Sequence, residues 1–276
     1  MSTLPIPTER PPAPPSGADS MICAACAVGL AAALIFSAFP GIDLWVSHLF
    51  YQGNGKFLFA KPGLGEVVRT LLRIIFAFAC IAAVFGFILM GFFNRKLMGL
   101  GLAAWAYIGL CAAVGPGIVA NLGFKDHWGR ARPVHVTEFG GTKQFTPALM
   151  RTDQCDKNCS FISGEASNFF ALGFAIALLA DPARRRKLFL AAIAAGSFAG
   201  FIRIGGGGHF LSDVVFAGVF MAFVTRWLAW LMLERYGSHL AEGGVFHRRM
   251  LRVGRRTAVR TQQLWNTVWQ RWQGGG

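Results

Sequence analysis

Six stretches of this chain are too apolar, and too empty of charge, to be surface elements of a soluble protein. Residues 21–39, 74–93 and 97–124 hold no charged side chain over 19, 20 and 28 positions. Residues 161–180 carry only Glu165, and residues 214–233 only Arg226. Residues 188–202 form a shorter run of 15, rich in Ala and Gly. About 20 apolar residues span a bilayer as a helix, and a helix satisfies its own backbone hydrogen bonds where water is absent. The expected fold class is all-α, a polytopic membrane bundle of six transmembrane helices. The small residues of the fifth run suit packing against neighbouring helices rather than lipid.

Charge sharpens this reading. Of 276 residues, 14% are charged and 54% hydrophobic, with 26 Phe and 8 Trp, which excludes a disordered chain. The net charge of +14 comes in clusters between the apolar runs, not interleaved through polar faces, so no nucleic-acid partner is expected. Basic residues concentrate in cytoplasmic connections. With the N-terminus inside, the inner segments hold fifteen Lys and Arg and the outer ones eleven. The short connections NRK at 94–96 and DPARRRK at 181–187 decide the orientation, and both termini are expected in the cytoplasm. A cleaved signal peptide is the competing reading of residues 21–39. Twenty preceding residues with several prolines and one Arg, and no clear small-x-small cleavage site, favour an uncleaved span.

Three polar clusters stand at outer span ends. The first reads KDHWGRARP, at 125–133; the second CSFISGEAS, at 159–167; the third FIRIGGGGHFLSD, at 201–213. Polar groups at membrane depth are costly and usually functional. Lys125, Arg132 and Arg203 supply three cations. Ser163 and Gly164 open a helix, whose free N–H groups favour an anion. His209 and Asp213 stand four apart, so on one helix they would touch, the Asp fixing the imidazole tautomer and leaving the other nitrogen free to attack. Cations, helix N–H groups and a poised His describe a phosphoryl-transfer site.

These clusters resemble the signature of the type 2 phosphatidic acid phosphatase superfamily: K-x6-R-P, P-S-G-H, and S-R-x5-H-x3-D. Lys125 and Arg132-Pro133 match the first motif, and Arg203, His209 and Asp213 match the third. The likeness runs from about residue 40 to 233 and includes FPGIDLWVSHLFY, similar to the first outer loop of bacterial members. The second motif departs, with Ile162 for Pro and Glu165 for His, and Ile202 replaces the Ser of the third. CSFISGEAS and the EFGG stretch after KDHWGRARP resemble the branch of lipid A phosphatases.

The resemblance implies a metal-independent, cofactor-free phosphoric monoester hydrolase in a bacterial inner membrane, its site facing the periplasm. Lys125, Arg132, Ser163, Gly164 and Arg203 would bind the phosphate of lipid A, at its 1- or 4′-position, or of another membrane phospholipid. His209, aligned by Asp213, would form a phosphohistidine. Glu165 would protonate the leaving oxygen in place of the family's His, with His127 and His135 as the other candidate acids. Undecaprenyl pyrophosphate and phosphatidylglycerophosphate are the alternative substrates, transfer to a second lipid an alternative reaction, and a lipid-binding or transport protein with a degenerate site the alternative outside enzymes.

The domain reading follows: residues 1–20 a disordered cytoplasmic N-terminus, 21–233 a six-span catalytic domain, and 234–276 a basic, Trp-containing cytoplasmic tail. In the tail Leu264, Trp265, Val268, Trp269 and Trp272 share a helical face, suited to an anionic inner leaflet. Cys155 and Cys159 share the outer loop, where an oxidising compartment would join them. His48, His239 and His247 are read as surface or interfacial residues, and Arg226 as snorkelling to headgroups.

Overall fold

The computed structural model describes residues 18–60 and 62–273. The N-terminal segment read as disordered lies, as far as residue 17, outside the described residues. In chain order the helices are α1 (Ala18–Ala38), α2 (Gly41–His48), α3 (Leu64–Phe93), α4 (Leu102–Ala112), α5 (Gly164–Leu179), α6 (Pro182–Gly205), α7 (Leu211–Ala229), α8 (Gly237–Leu240) and α9 (Val245–Gln273). A two-stranded hairpin, β1 (Tyr51–Gly53) and β2 (Lys56–Phe57), follows α2. α4 continues as a wider π-helix, Ala113–Lys125, and α7 as another, Trp230–Arg235. Pro116 lies inside the first of these; proline has no N–H to give the α-helical ladder, so the backbone must pair differently there.

Among the described residues, five helices are long and apolar enough to cross a membrane: Ser20–Ala38, Leu64–Phe93, Leu102–Lys125, Pro182–Gly205 and Leu211–Arg235. With the shorter apolar α5 they make the expected all-α bundle. The lengths redistribute, however. The fifth span, short by its charge-free run, is a helix of 24 residues that continues through Arg184, Arg185, Arg186 and Lys187 at one end and Arg203 at the other. The short one is α5, with 16 residues. Its rise is about 24 Å, less than the roughly 30 Å of hydrocarbon, so this helix alone falls short of a full crossing. α3 begins at Leu64, nearly three turns before the apolar run of residues 74–93, because Glu66 pairs with Arg69 at 3.3 Å and with Arg73 at 3.2 Å on the helix surface.

α5 is the central element, packed against α4, α6 and α7. Small residues let it approach: a Cβ on Gly196 would strike the Phe170 ring, and one on Gly173 would strike Ala192. By contrast α3 turns Leu71, Ile75, Phe78 and Phe85 outward, an apolar belt of the kind lipid covers.

The hairpin turns through Asn54 and Gly55, both with positive φ, as two-residue hairpin turns require. It brings Phe57 against Phe139 at 5.3 Å and over Gly207. Just beyond it the Phe59 N–H donates to the Gly205 carbonyl at 2.9 Å. The hairpin and the segment after it thus brace the glycine run that precedes His209.

Two readings are corrected at the far end. His247 is buried, not superficial: its Nδ1 accepts from the Gly243 N–H and its Nε2 donates to the Met90 carbonyl, each at 3.1 Å. This pins α9 to α3, where Met250 rides on Gly91. Arg226 pairs with Glu234 at 3.0 Å instead of reaching for headgroups, since the helix continues two more turns and supplies a carboxylate. Beyond the docked turn, Trp265, Trp269 and Trp272 are exposed and stack in series at 6.3 and 5.5 Å.

Candidate active site

Four helix ends meet at one end of the bundle: the C-terminus of the π-helix at Lys125, the N-terminus of α5, the C-terminus of α6 and the N-terminus of α7. The three sequence clusters therefore converge. Lys125 reaches the start of α5 only because residue 164 is glycine; a Cβ there would lie 2.7 Å from Nζ. Gly208 likewise leaves room for the Arg203 guanidinium. Ser163 caps α5 in extended conformation, its N–H bonded to the Asp213 carbonyl at 3.1 Å. Its buried Oγ has no hydrogen-bond partner among the described residues. A buried hydroxyl without a partner is costly, and a bound phosphate oxygen would supply one.

His209 is 1% exposed, and its Nδ1 lies 2.7 Å from the Ser160 carbonyl. A carbonyl only accepts, so Nδ1 carries the proton and Nε2 keeps its lone pair. The expected partner, Asp213, stands 3.6 Å from Nδ1. This corrects the sequence reading. His209 precedes α7, which begins at Leu211, so the two side chains are not stacked on one helix. Asp213 instead binds Arg130 through Oδ1 and accepts from the Ser160 hydroxyl and the Phe210 N–H through Oδ2. It holds Ser160, and Ser160 aims the imidazole. Burial, the largest influence, pushes the His209 pKa down to about 3, against the pull of Asp213 and with help from Arg203 and Lys125. A lowered pKa keeps the neutral, nucleophilic form at every higher pH. Side-chain NMR of His209, assigned by difference against His209→Ala, should show no titration between about pH 5 and 8. A midpoint near the ordinary 6.5 would contradict this environment.

Arg132 bonds Asn158 through its carbonyl, at 3.1 and 2.7 Å, and its Oδ1, at 2.8 Å. Glu165 receives Arg69 Nε at 2.7 Å and faces Arg203 Nε at 3.6 Å. Arg69, Arg132 and Arg203 line a cavity of about 370 Å³, together with His135, Lys157 and the glycines 206–208. Lys125, Ser163, Glu165 and His209 do not line it; Arg203 links it to Glu165, and Gly208 to His209. His135 lies at this cavity, whereas His127 does not.

Four residues of the site escaped the sequence reading. Arg69 lies outside the charge-free run of residues 74–93, and α3 extends back past it to Leu64. Arg130 is fully buried, donating to Asp213, to Asp43 at 2.8 Å, to Ser212 at 2.9 Å and to the Thr146 carbonyl at 2.9 Å. Its signal was present in GRARP, one basic residue more than the motif needs. Asp43 accepts from Arg130 and from the Ser212 N–H and hydroxyl; as the lone acid of FPGIDLWVSHLFY it was visible but unpartnered on paper. Burial raises its pKa, against the opposing effect of Arg130. Ser160 acts through its backbone, which no motif shows. The structure also pairs Cys155 with Cys159 in a disulfide on this loop.

Comparison with known proteins fits this geometry. The family model described as the PAP2 superfamily matches residues 104–237. A lipid A 4′-phosphatase of Francisella tularensis subsp. novicida is 37% identical over 203 residues, covering 73% of this chain and 90% of that protein. Lipid A 4′-phosphatases of Rhizobium etli and Rhizobium leguminosarum are 32% and 29% identical, over 65% and 66% of this chain and 75% and 83% of their own lengths. No solved structure gives a significant match. With this identity over most of a relative's length, and with the family's cations and histidine gathered at one end of a membrane bundle, the chain belongs to the PAP2 superfamily, as a phosphoric monoester hydrolase on the branch that holds these three phosphatases.

Proposed function

We propose that this protein removes the 4′-phosphate of lipid A at the periplasmic face of a bacterial inner membrane, through a phosphohistidine at His209. The carrying observation is the buried His209, its Nδ1–H held by the Ser160 carbonyl and its Nε2 without a hydrogen-bond partner among the described residues, beside Lys125, Arg203 and a Ser163 hydroxyl likewise without one. The names of the relatives support the substrate. The basic connections 94–96 and 181–187 lie at the end away from the site, and the Cys155–Cys159 disulfide at the site end; both support the periplasmic orientation. The exposed Trp ladder of the basic α9 suits an anionic inner leaflet.

The resting pairs suggest how Glu165 works. A substrate phosphate entering as the monoanion draws Arg203 and Arg69 to its oxygens and gives its proton to Glu165. His209 Nε2 attacks phosphorus in line; the N–P bond forms as the P–O4′ bond breaks. Glu165 returns the proton to the departing 4′-oxygen. The Ser160 carbonyl accepts a stronger hydrogen bond as positive charge grows on the imidazole. Water then attacks phosphorus, losing its proton to Glu165, and His209 leaves neutral.

Glu165→Gln should lower kcat by roughly 10²- to 10⁴-fold, the usual contribution of a general acid, and Glu165→His should restore part of it. Undiminished turnover in Glu165→Gln would move the acid role to His135. The substrate is tested by mass spectrometry of lipid A incubated with the purified protein. Loss of the 4′-phosphate with the 1-phosphate intact is expected; loss of the 1-phosphate alone, or of neither, would refute the assignment.

A further inference from the structure

A second cavity, of about 660 Å³, opens between α1, α5, α6 and α7. Its walls are apolar, with Met21 and Val28 from α1, Phe174 from α5, Ile193 from α6 and Val219 from α7. Polar lining is confined to one end, where Arg185 and Arg186 stand near Ser20. Between Pro182 and Ile193 the α6 axis rises about 16 Å, half of the roughly 30 Å of hydrocarbon. The crevice is thus one leaflet deep. Its basic end lies some 27 Å along α6 from Arg203, so it is not part of the site above.

The charge pattern at that end asks for an anion. α6 opens with Arg184, Arg185, Arg186 and Lys187, and its first turn contains no acid. Cations at a helix N-terminus oppose the helix dipole, and an anion there is favoured. Asp181 precedes the helix, but its side chain makes no capping bond. Arg185 is buried and donates to the Ala180 carbonyl at 3.0 Å, while Arg184 and Arg186 are exposed.

We infer that this crevice is a binding site for one anionic glycerophospholipid of the leaflet opposite the catalytic end. One acyl chain lies along the apolar wall, and the phosphate meets Arg186 and the first turn of α6. The crevice volume falls within the range of small-ligand sites, ~300–1,000 Å³. A zwitterionic lipid offers the same chain but brings its own cation to the four bases, so headgroup charge should decide occupancy.

The full-length protein, purified in detergent and incubated with equimolar phosphatidylglycerol and phosphatidylcholine, can be examined by native mass spectrometry. Wild type should retain one phosphatidylglycerol at least tenfold over phosphatidylcholine. The pair Arg184→Gln and Arg186→Gln should abolish that preference. Ala24→Phe, from the exposed wall of α1, should fill the crevice and abolish retention of both lipids, with phosphatase turnover unchanged. Equal retention of the two lipids by wild type would overturn the inference without any variant. Retention by Ala24→Phe at the wild-type level would overturn it too, by placing the lipid elsewhere, for example on the basic α9.

Discussion

Replacing His209 by Ala should cost roughly 10⁴-fold or more in phosphate release, the scale seen when an enzyme loses its nucleophile. The expectation rests on geometry, because among the described residues the His209 Nε2 combines burial and neutrality with no hydrogen-bond partner. The protein should still fold. His209 meets the Ser160 carbonyl and, at 3.6 Å, Asp213 through Nδ1, whereas Asp213 and Arg130 carry the surrounding network. Lipid binding should survive, since Lys125, Arg132 and Arg203 remain. A His209→Ala protein that binds lipid A with near-normal affinity but releases no phosphate separates the attack from the clamp. Phosphate release within tenfold of wild type would end the nucleophile assignment.

The largest stability effect is expected at Arg130, a residue that touches no substrate in this account. Its guanidinium joins Asp43 of α2 to Asp213 of α7 and rests 4.3 Å from the Phe210 ring. Arg130→Met would leave two carboxylates buried without their cation, a change that costs about 3–5 kcal/mol when one partner of a buried ion pair is removed. Lysine should not rescue it, because a single ammonium cannot match a planar fork that donates in three directions. Adding Asp43→Asn to Arg130→Met should recover part of the loss by removing one orphaned charge. Half-lives of activity at fixed temperature in detergent would measure this, as membrane enzymes commonly inactivate irreversibly. An Arg130→Met protein as long-lived as wild type would show that the network contributes nothing to stability.

The bundle was legible from the chain because bilayer thickness converts apolar length directly into span number. The proposed clamp and nucleophile were legible because Lys125, Arg132, Arg203 and His209 keep the motif spacing. Span ends were not. A charge run terminates a hydropathy pattern but does not terminate a helix, so α3 and α6 both extend beyond the apolar runs 74–93 and 188–202, and Arg69 lies in such an extension. Pairings were hidden for a different reason. Spacing alone placed Asp213 against His209, yet the helix starts two residues after the histidine, and a backbone carbonyl does the orienting. Asp43 and Arg130 lie 87 positions apart, a separation that no local pattern bridges. His247 looked like one more polar residue in a basic tail until α9 was seen docked on α3.

These expectations depend on a covalent step at one atom. Rapid quenching of the wild-type protein with lipid A labelled in its 4′-phosphate should trap an alkali-stable, acid-labile phosphate within milliseconds to seconds of mixing. Proteolysis should place that label on the peptide containing His209, and His209→Ala should trap none. Turnover that accumulates no phosphoenzyme under single-turnover conditions, or label on a different residue, would contradict the account.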